Sequence, residues 1–245
     1  MILDKYPQIT FVSSKTSDGN MLFSKGEASE VLANREKFLK PLGISLDSLV
    51  VMELEHDVHI LKVGKENLGR GAFNPNNLLP ADCLMTNQPG VYLMMGIADC
   101  IPLALYDPKH KAIALVHTSW KTLDQGIISL AIQKMGADFG TNYKDLVAQF
   151  GPSIGPCCYK NLPDLSQKDN PCWQPFISQE NGTYGVDIWG FAQDQLQKAG
   201  VLPTNIDNPK ICTYHSGQYF SHRKFVAEGK REDLRFAAIL GMKEI

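Results

Sequence analysis

The stretch from Gly90 to Met135, GVYLMMGIADCIPLALYDPKHKAIALVHTSWKTLDQGIISLAIQKM, decides the fold. Gly90–Ile97 and Ile101–Tyr106 are apolar runs of strand length, interrupted at Ala98-Asp99-Cys100. Runs this short and this apolar read as buried strands. Asp107-Pro108 marks a turn, and Ala112–Val116 is a third buried strand. The period then changes. Leu123, Ile127, Leu130, Ala131 and Met135 recur three and four apart, so Trp120–Met135 reads as an amphipathic helix packed on the sheet.

Outward from this stretch, Leu49–Met52, His59–Val63, Leu146–Phe150, Lys210–Thr213, Tyr219–Ser221 and Phe236–Leu240 read as further strands. Ala28 to Pro41 reads as a helix ahead of Gly43. Asp187 caps another that runs to Ala199 and ends at Gly200. Long loops are expected at Gly64–Pro80 and Asn161–Tyr184, and loops of that length are often functional. No repeat or linker divides the chain. The expectation is one α/β domain over residues 1–245, a mixed sandwich of sheet and helix.

Composition excludes several function classes. Of 245 residues, 44% are hydrophobic and 20% charged, as in an ordinary globular protein, and the net charge is −2. No global field draws such a chain to nucleic acid or an anionic membrane. The longest apolar stretch, Gly90 to Tyr106, is broken by Asp99 and Pro102 and is too short to span a bilayer. The first residues lack a basic segment followed by an apolar one, so a cytoplasmic location is expected. In that compartment the six cysteines are expected as free thiols, catalysts or metal ligands. Cys83, Cys172 and Cys212 read as small buried hydrophobes.

Cys100 and His117 carry the chemistry. Each follows a buried strand, and they stand 17 residues apart around the Asp107-Pro108 turn. Adjacent strands would bring both to one rim, where α/β proteins place ligands. Thr118 or Ser119 can cap the next helix, whose free N–H groups would face that rim as an anion site with Lys121 in the first turn. A further histidine lies upstream in Leu54-Glu-His-Asp-Val-His59. One cysteine and two histidines make a ligand set of the catalytic zinc type, with a position left for water. Strand alternation places His56 and His59 on opposite faces, so one of them reaches the site. In Phe150-Gly-Pro-Ser-Ile-Gly-Pro-Cys-Cys-Tyr159 two Gly-Pro pairs force a rigid loop. Cys157 and Cys158 are expected to point apart and not to bind one metal together, making this loop scaffold or pocket wall.

Taken in order, these motifs resemble a known family. The matching residues are Ala81-Asp-Cys-Leu-Met-Thr86, Pro89-Gly90, Ala98-Asp-Cys-Ile-Pro102, His117-x-x-Trp120 and Gly151-Pro-Ser-Ile-Gly-Pro-Cys-Cys-Tyr159. Asn34-Arg35, Val186-Asp187, Cys212-Thr213 and Phe220-Ser-x-Arg223 add to them. Together they resemble the YfiH-like family, also called the laccase-domain or polyphenol oxidoreductase family, whose members include purine nucleoside phosphorylases. The resemblance implies an α-β-β-α-type sandwich. It implies a zinc-like site of His56, Cys100 and His117, with His59 as the fallback for His56. It also implies phosphorolysis of purine nucleosides, with phosphate as co-substrate, and deamination of adenosine. Lys121, Arg223 and Arg235 are the candidate phosphate binders. The family's usual His-Ala-Gly-Trp-Arg-Gly is here His117-Thr-Ser-Trp-Lys-Thr122, so Thr118, Ser119 and Thr122 are expected to narrow the pocket. Lys121 replaces a bidentate arginine with a point charge.

Two other chemistries suit the same residues. Cys100 as nucleophile and His117 as base would make a cysteine hydrolase or amidase. Copper in place of zinc would suit a polyphenol oxidase, but oxygen reduction needs a further histidine-rich cluster. The six histidines are not grouped to supply it.

Overall fold

The computed structural model describes residues 1–229 and 232–244. Two sheets dominate, with strands numbered along the chain. The six-stranded sheet has the order β12 (Ile206–Asp207), β9 (Val147–Phe150), β7 (Ile101–Asp107), β8 (Ala112–Thr118), β5 (Cys83–Thr86), β3 (Ile60–Lys62). The five-stranded sheet has the order β1 (Ile9–Ser13), β13 (Phe236–Met242), β6 (Tyr92–Ile97), β2 (Leu49–Glu53), β4 (Leu79–Pro80). Helices α1 (Ala28–Leu39), α2 (Trp120–Asp124), α3 (Ile127–Phe139) and α4 (Ile188–Lys198) cover the outer faces, and α5 (Thr213–Ser216) and α6 (His222–Glu228) are short connectors.

Strand alternation sorts the apolar residues into three cores. In β6, Leu93, Met95 and Ile97 face the other sheet, as do Ile113 and Leu115 of β8 and Ala104 and Tyr106 of β7. The opposite parity of β7 and β8, with Leu103, Leu105, Ala114 and Val116, packs on Ile128, Ala131 and Met135 of α3 and Ala192 and Leu196 of α4. Tyr92 and Met94 of β6 and Ile239 of β13 pack toward Leu39 of α1. The result is the expected α-β-β-α sandwich. Buried on both faces, β6, β7 and β8 are continuous apolar runs rather than alternating ones.

The structure revises several expected elements. The two runs around Ala98-Asp99-Cys100 are strands, but they do not pair. β6 belongs to one sheet and β7 to the other, so the three residues between them cross the sandwich. Asp99 makes the turn with φ 74°, in the left-handed region. The helix expected over Trp120–Met135 is two helices, α2 and α3, because Gly126 sits at φ 77°. Lys210–Thr213 makes only an isolated bridge, Cys212 to Ser153, before turning into α5. Tyr219–Ser221 forms no strand, and Ser221 caps α6 by accepting from the Lys224 amide. Within the Asn161–Tyr184 loop lies part of a hairpin, β10 (Ile177–Glu180) with β11 (Thr183–Val186). Its Asn181-Gly182 corner has φ 51° and 76°, the two positive angles that such a two-residue turn requires.

Candidate metal centre and its cavity

Three strands end at one place. β2 leads into Leu54–Asp57, β6 into Ala98–Cys100, and β8 carries His117 at its end and leads into Ser119. The β7–β8 ladder pairs Pro102 with His117, which sets Cys100 beside that histidine across the strand ends. Counting along β8, His117 shares the parity of Ile113 and Leu115 and so turns toward the seam between the sheets.

One ligand atom each from His56, Cys100 and His117 falls within 4.8 Å of the others. The two imidazoles meet edge to face, with ring centroids 4.8 Å apart. Asp82 organises both. Its Oδ1 lies 2.6 Å from His117 Nδ1 and accepts from the His56 amide at 3.0 Å, while Oδ2 accepts from the Asp57 amide at 2.9 Å. Its backbone carbonyl accepts from the His117 amide at 2.8 Å. A carboxylate on Nδ1 fixes the tautomer that leaves Nε2 free as a ligand. His117 Nε2 is buried without a hydrogen-bond partner. The His56 backbone is held at φ 61°, an uncommon angle for a residue with a side chain. Two amide bonds to one carboxylate keep it there.

Electrostatics follow from this packing. Burial alone would raise the Cys100 thiol, but the imidazoles of His117 and His56 outweigh it and bring the thiol down to about 6. Burial alone would lower His117, but Asp82 and the Cys100 sulfur stabilise its protonated form and raise it to about 9. Asp82 is lowered, because hydrogen bonds from His117 and the two amides overcome its burial. A thiolate beside two imidazoles, one with an unpartnered buried nitrogen, matches the donor set of a zinc-type ion.

The trio, with His56 exposed and His117 buried, lines a cavity of about 490 Å³. Its walls are mostly apolar, with Ile97, Ile154, Tyr159 and Ile188 among them, and Ser119, Arg223 and Arg235 as polar points. The Gly151–Tyr159 loop is thus a wall, as expected. Asp99, inside the sheet crossover, ties the walls together. Its carboxylate accepts from Thr213 Oγ1 and from the Arg223 amide, both at 2.6 Å, and its carbonyl accepts from the Ile154 amide at 2.8 Å.

The other expected residues lie as follows. His59 stays outside, exposed and paired with Glu55 at 3.2 Å. The segment holding it and His56 is a bend rather than a strand, so alternation does not separate them; the positive φ of His56 does. Lys121 is exposed, with its ammonium 5.6 Å from the centroid of the Trp120 ring, and it does not line the cavity. The Arg223 guanidinium donates to the carbonyls of Lys160 and Asn161. Arg235 is held by Asp233, at 2.5 and 2.9 Å. Of the three side chains expected to narrow the pocket, Ser119 alone reaches it. Thr118 is buried and donates to the Ile101 carbonyl at 2.7 Å, and Thr122 donates to the His117 carbonyl at 2.8 Å. Cys157 and Cys158 do not diverge: their sulfurs converge with Cys212 and His215, so Cys212 is more than an apolar filler. Sequence reading did not single out Asp82 or Asp99. The one signal for them is that Ala-Asp-Cys occurs twice, at residues 81–83 and 98–100.

Comparison with known proteins bears on the fold and the family. Among curated proteins, a purine nucleoside phosphorylase of Bacteroides thetaiotaomicron is 29% identical over 239 residues, covering 91% of this chain and 88% of that protein. The purine nucleoside phosphorylase YlmD of Geobacillus stearothermophilus is 29% identical over 205 residues, covering 81% of this chain and 75% of its own length. The crystal structure of Bacillus licheniformis YfiH superposes with a TM-score of 0.86 at 25% identity, covering 98% of this chain and 95% of that one. Residues 11–242 match the model of the multi-copper polyphenol oxidoreductase laccase family, and the chain belongs to that family.

Proposed function

We propose that this protein is a purine nucleoside phosphorylase working around a zinc-type ion held by His56, Cys100 and His117, with deamination of adenosine at the same centre. The observation that carries this reading is His117 Nε2, buried and without a hydrogen-bond partner in a residue that lines the cavity, with its other nitrogen fixed by Asp82. The names of the relatives support the substrate class, and a cavity of about 490 Å³ suits a nucleoside with phosphate. When bound, the ion would supply Lewis acidity toward a substrate oxygen or a water.

The chain's own residues bind and orient. The apolar walls hold the flat base and exclude water. Arg223 and Ser119, which line the cavity, are the proposed phosphate contacts. In phosphorolysis a phosphate oxygen bonds to the anomeric carbon as the bond to the purine nitrogen breaks, and the purine leaves with a proton. In deamination water adds at the carbon bearing the amine, and ammonia leaves.

Cys100, His117 and Asp82 also have the order of a nucleophile, base and orienting carboxylate, which is the observation favouring a cysteine hydrolase. His56 has no part in such a triad, yet the backbone is bent to present it. The copper oxidase reading lacks a further histidine-rich cluster among the described residues, where His215 stands with three cysteines. Among the described residues His59, His110 and His222 pair with Glu55, Asp107 and Asp233, and none joins the trio.

The test is incubation of zinc-loaded protein with inosine, adenosine and methylthioadenosine, with and without phosphate, resolving the products. Free base and a sugar phosphate are expected only with phosphate, and inosine from adenosine without it. Absence of all these products sinks the reading. Amide hydrolysis by metal-stripped protein, abolished by labelling of Cys100, would put the hydrolase in its place.

A further inference from the structure

Behind the cavity wall lies a second cluster that the proposed chemistry does not use. Cys157 and Cys158 come from the turn after Gly155-Pro156, and Cys212 and His215 from the start of α5. One ligand atom from each of the four lies within 4.8 Å of all the others. Cys157 Sγ is 3.5 Å from His215 Nδ1, and Cys158 Sγ is 3.4 Å from His215 Nε2. A tetrahedral zinc ion, with Zn–S of about 2.3 Å and Zn–N of about 2.0 Å, sets S···N edges of about 3.5 Å and S···S edges of about 3.8 Å. The two thiols meet opposite nitrogens of the ring, and the 4.8 Å limit on all four ligand atoms leaves only a small rotation of the side chains to close them on one ion through a single nitrogen.

The backbone holds the two segments in this register. Ser153 donates to the Ile211 carbonyl and accepts from the Thr213 amide, both at 3.1 Å, and the Gly155 amide donates to Cys212 Sγ at 3.4 Å. The amides of Cys158 and Tyr159 both donate to the Gly155 carbonyl at 3.0 Å, which curls the turn and brings adjacent cysteines to one side. None of the four side chains lines the cavity. Three free thiols and an imidazole gathered from segments some 55 residues apart have no other visible role.

We propose that Cys157, Cys158, Cys212 and His215 form a second, structural metal site for a zinc-type ion, bound by three thiolates and one imidazole. Three cysteines and a histidine are a closed donor set, with no position left for substrate. Loading it displaces three thiol protons. The ion would staple the Gly155–Tyr159 turn to α5. Tyr159, next to Cys158, is a cavity wall. Thr213, next to Cys212, holds the Asp99 carboxylate in the crossover that places Cys100. The second site thus braces the first from outside.

The full chain, reduced and stripped of metal, is titrated with cobalt and then zinc, reading thiolate-to-cobalt charge transfer and bound stoichiometry. Wild-type protein is expected to take two equivalents. Cys100→Ala, which removes a ligand from the first centre, should keep one, with the strong absorption of three thiolates. Cys157→Ser combined with His215→Asn changes exposed side chains, and should also keep one, with the weaker band of a single thiolate. Cys158→Ser alone should weaken zinc binding at this site at least about tenfold. If the double variant binds as much zinc as wild type with an unchanged cobalt spectrum, the second site is overturned. A first centre that fails to bind has a different signature: one equivalent in wild type, unchanged in Cys100→Ala.

Discussion

The two Ala-Asp-Cys triplets use the same letters for opposite jobs. At residues 81–83 the aspartate works and the cysteine packs: Asp82 carries both histidines, while Cys83 is fully buried and burial drives its thiol far up. At residues 98–100 the cysteine works and the aspartate braces. Cys100 and His117 were legible from their places after apolar strands. Asp82 was not, because its role depends on a contact 35 residues away. Replacing Asp82 by Asn keeps the shape but removes the charge that fixes the His117 tautomer. Zinc affinity at the first centre is expected to fall about 10–100-fold, read by competition with a chromophoric chelator. Unchanged affinity would show that Asp82 does not orient the ligand. The thiol can be tested apart from any ion. In metal-stripped protein Cys100 is a thiolate above a pKa of about 6. Its alkylation rate should stay flat from neutral pH upward and fall as pH drops through about 6, followed by mass spectrometry of the Cys100 peptide. In His117→Ala the midpoint should move up toward the ordinary thiol value near 8.5. A wild-type midpoint already there would remove the imidazole–thiolate pair.

Elements were legible where one pattern ruled. The buried runs of β6, β7 and β8 fall within a residue or two of their expected bounds, and α1 begins at Ala28 as read. Which sheet each run joins was not legible, because a strand buried on both faces shows no parity. The sheet change between β6 and β7 rests on the backbone angle of Asp99, and the break between α2 and α3 on that of Gly126. Nor does periodicity mark Arg35, on the inward face of α1 and 1% exposed. Its guanidinium donates to the carbonyls of Met21, Gly71 and Ala72 at 2.7–3.0 Å and lies 4.3 Å from the centroid of the Phe23 ring. Burial lowers it to about 10, so it stays charged at neutral pH. This one side chain fastens α1 to two loops. Arg35→Met leaves three carbonyls without their donor, at a cost of about 3 kcal/mol or more by urea denaturation. Arg35→Lys recovers only part, since an ammonium has no fork. A loss under about 1 kcal/mol for the methionine variant would mean that the loops find other donors.

At the scale of the whole molecule, the sandwich and the proposed metal centres are separable. Three cores run through both sheets and their covering helices, and among the described residues no helix is long and apolar enough to cross a membrane. A chain of this length buries enough apolar surface to fold without an ion. The proposed ligands of the first centre lie where strands end, so losing that ion should loosen the seam and leave the sheets intact. Metal-stripped protein should therefore keep its far-ultraviolet circular dichroism but melt earlier. An ion at about 100 times its Kd contributes about 2.7 kcal/mol to the folded state. At about 2–4 °C per kcal/mol for a chain of this size, one site shifts Tm by about 5–10 °C. The sign with pH is fixed by the ligands. His117, raised to about 9, must give up a proton to bind, so competition begins below that value; the Cys100 thiol, lowered, favours the thiolate above about 6, and protons compete for both ligands below it. The gap in Tm between loaded and stripped protein should shrink as pH falls below about 9, and more steeply below about 6, followed by calorimetry across a pH series. Collapse of the secondary structure on chelation would make the fold itself metal-dependent. A gap that stayed constant with pH would mean that Cys100 does not hold the ion.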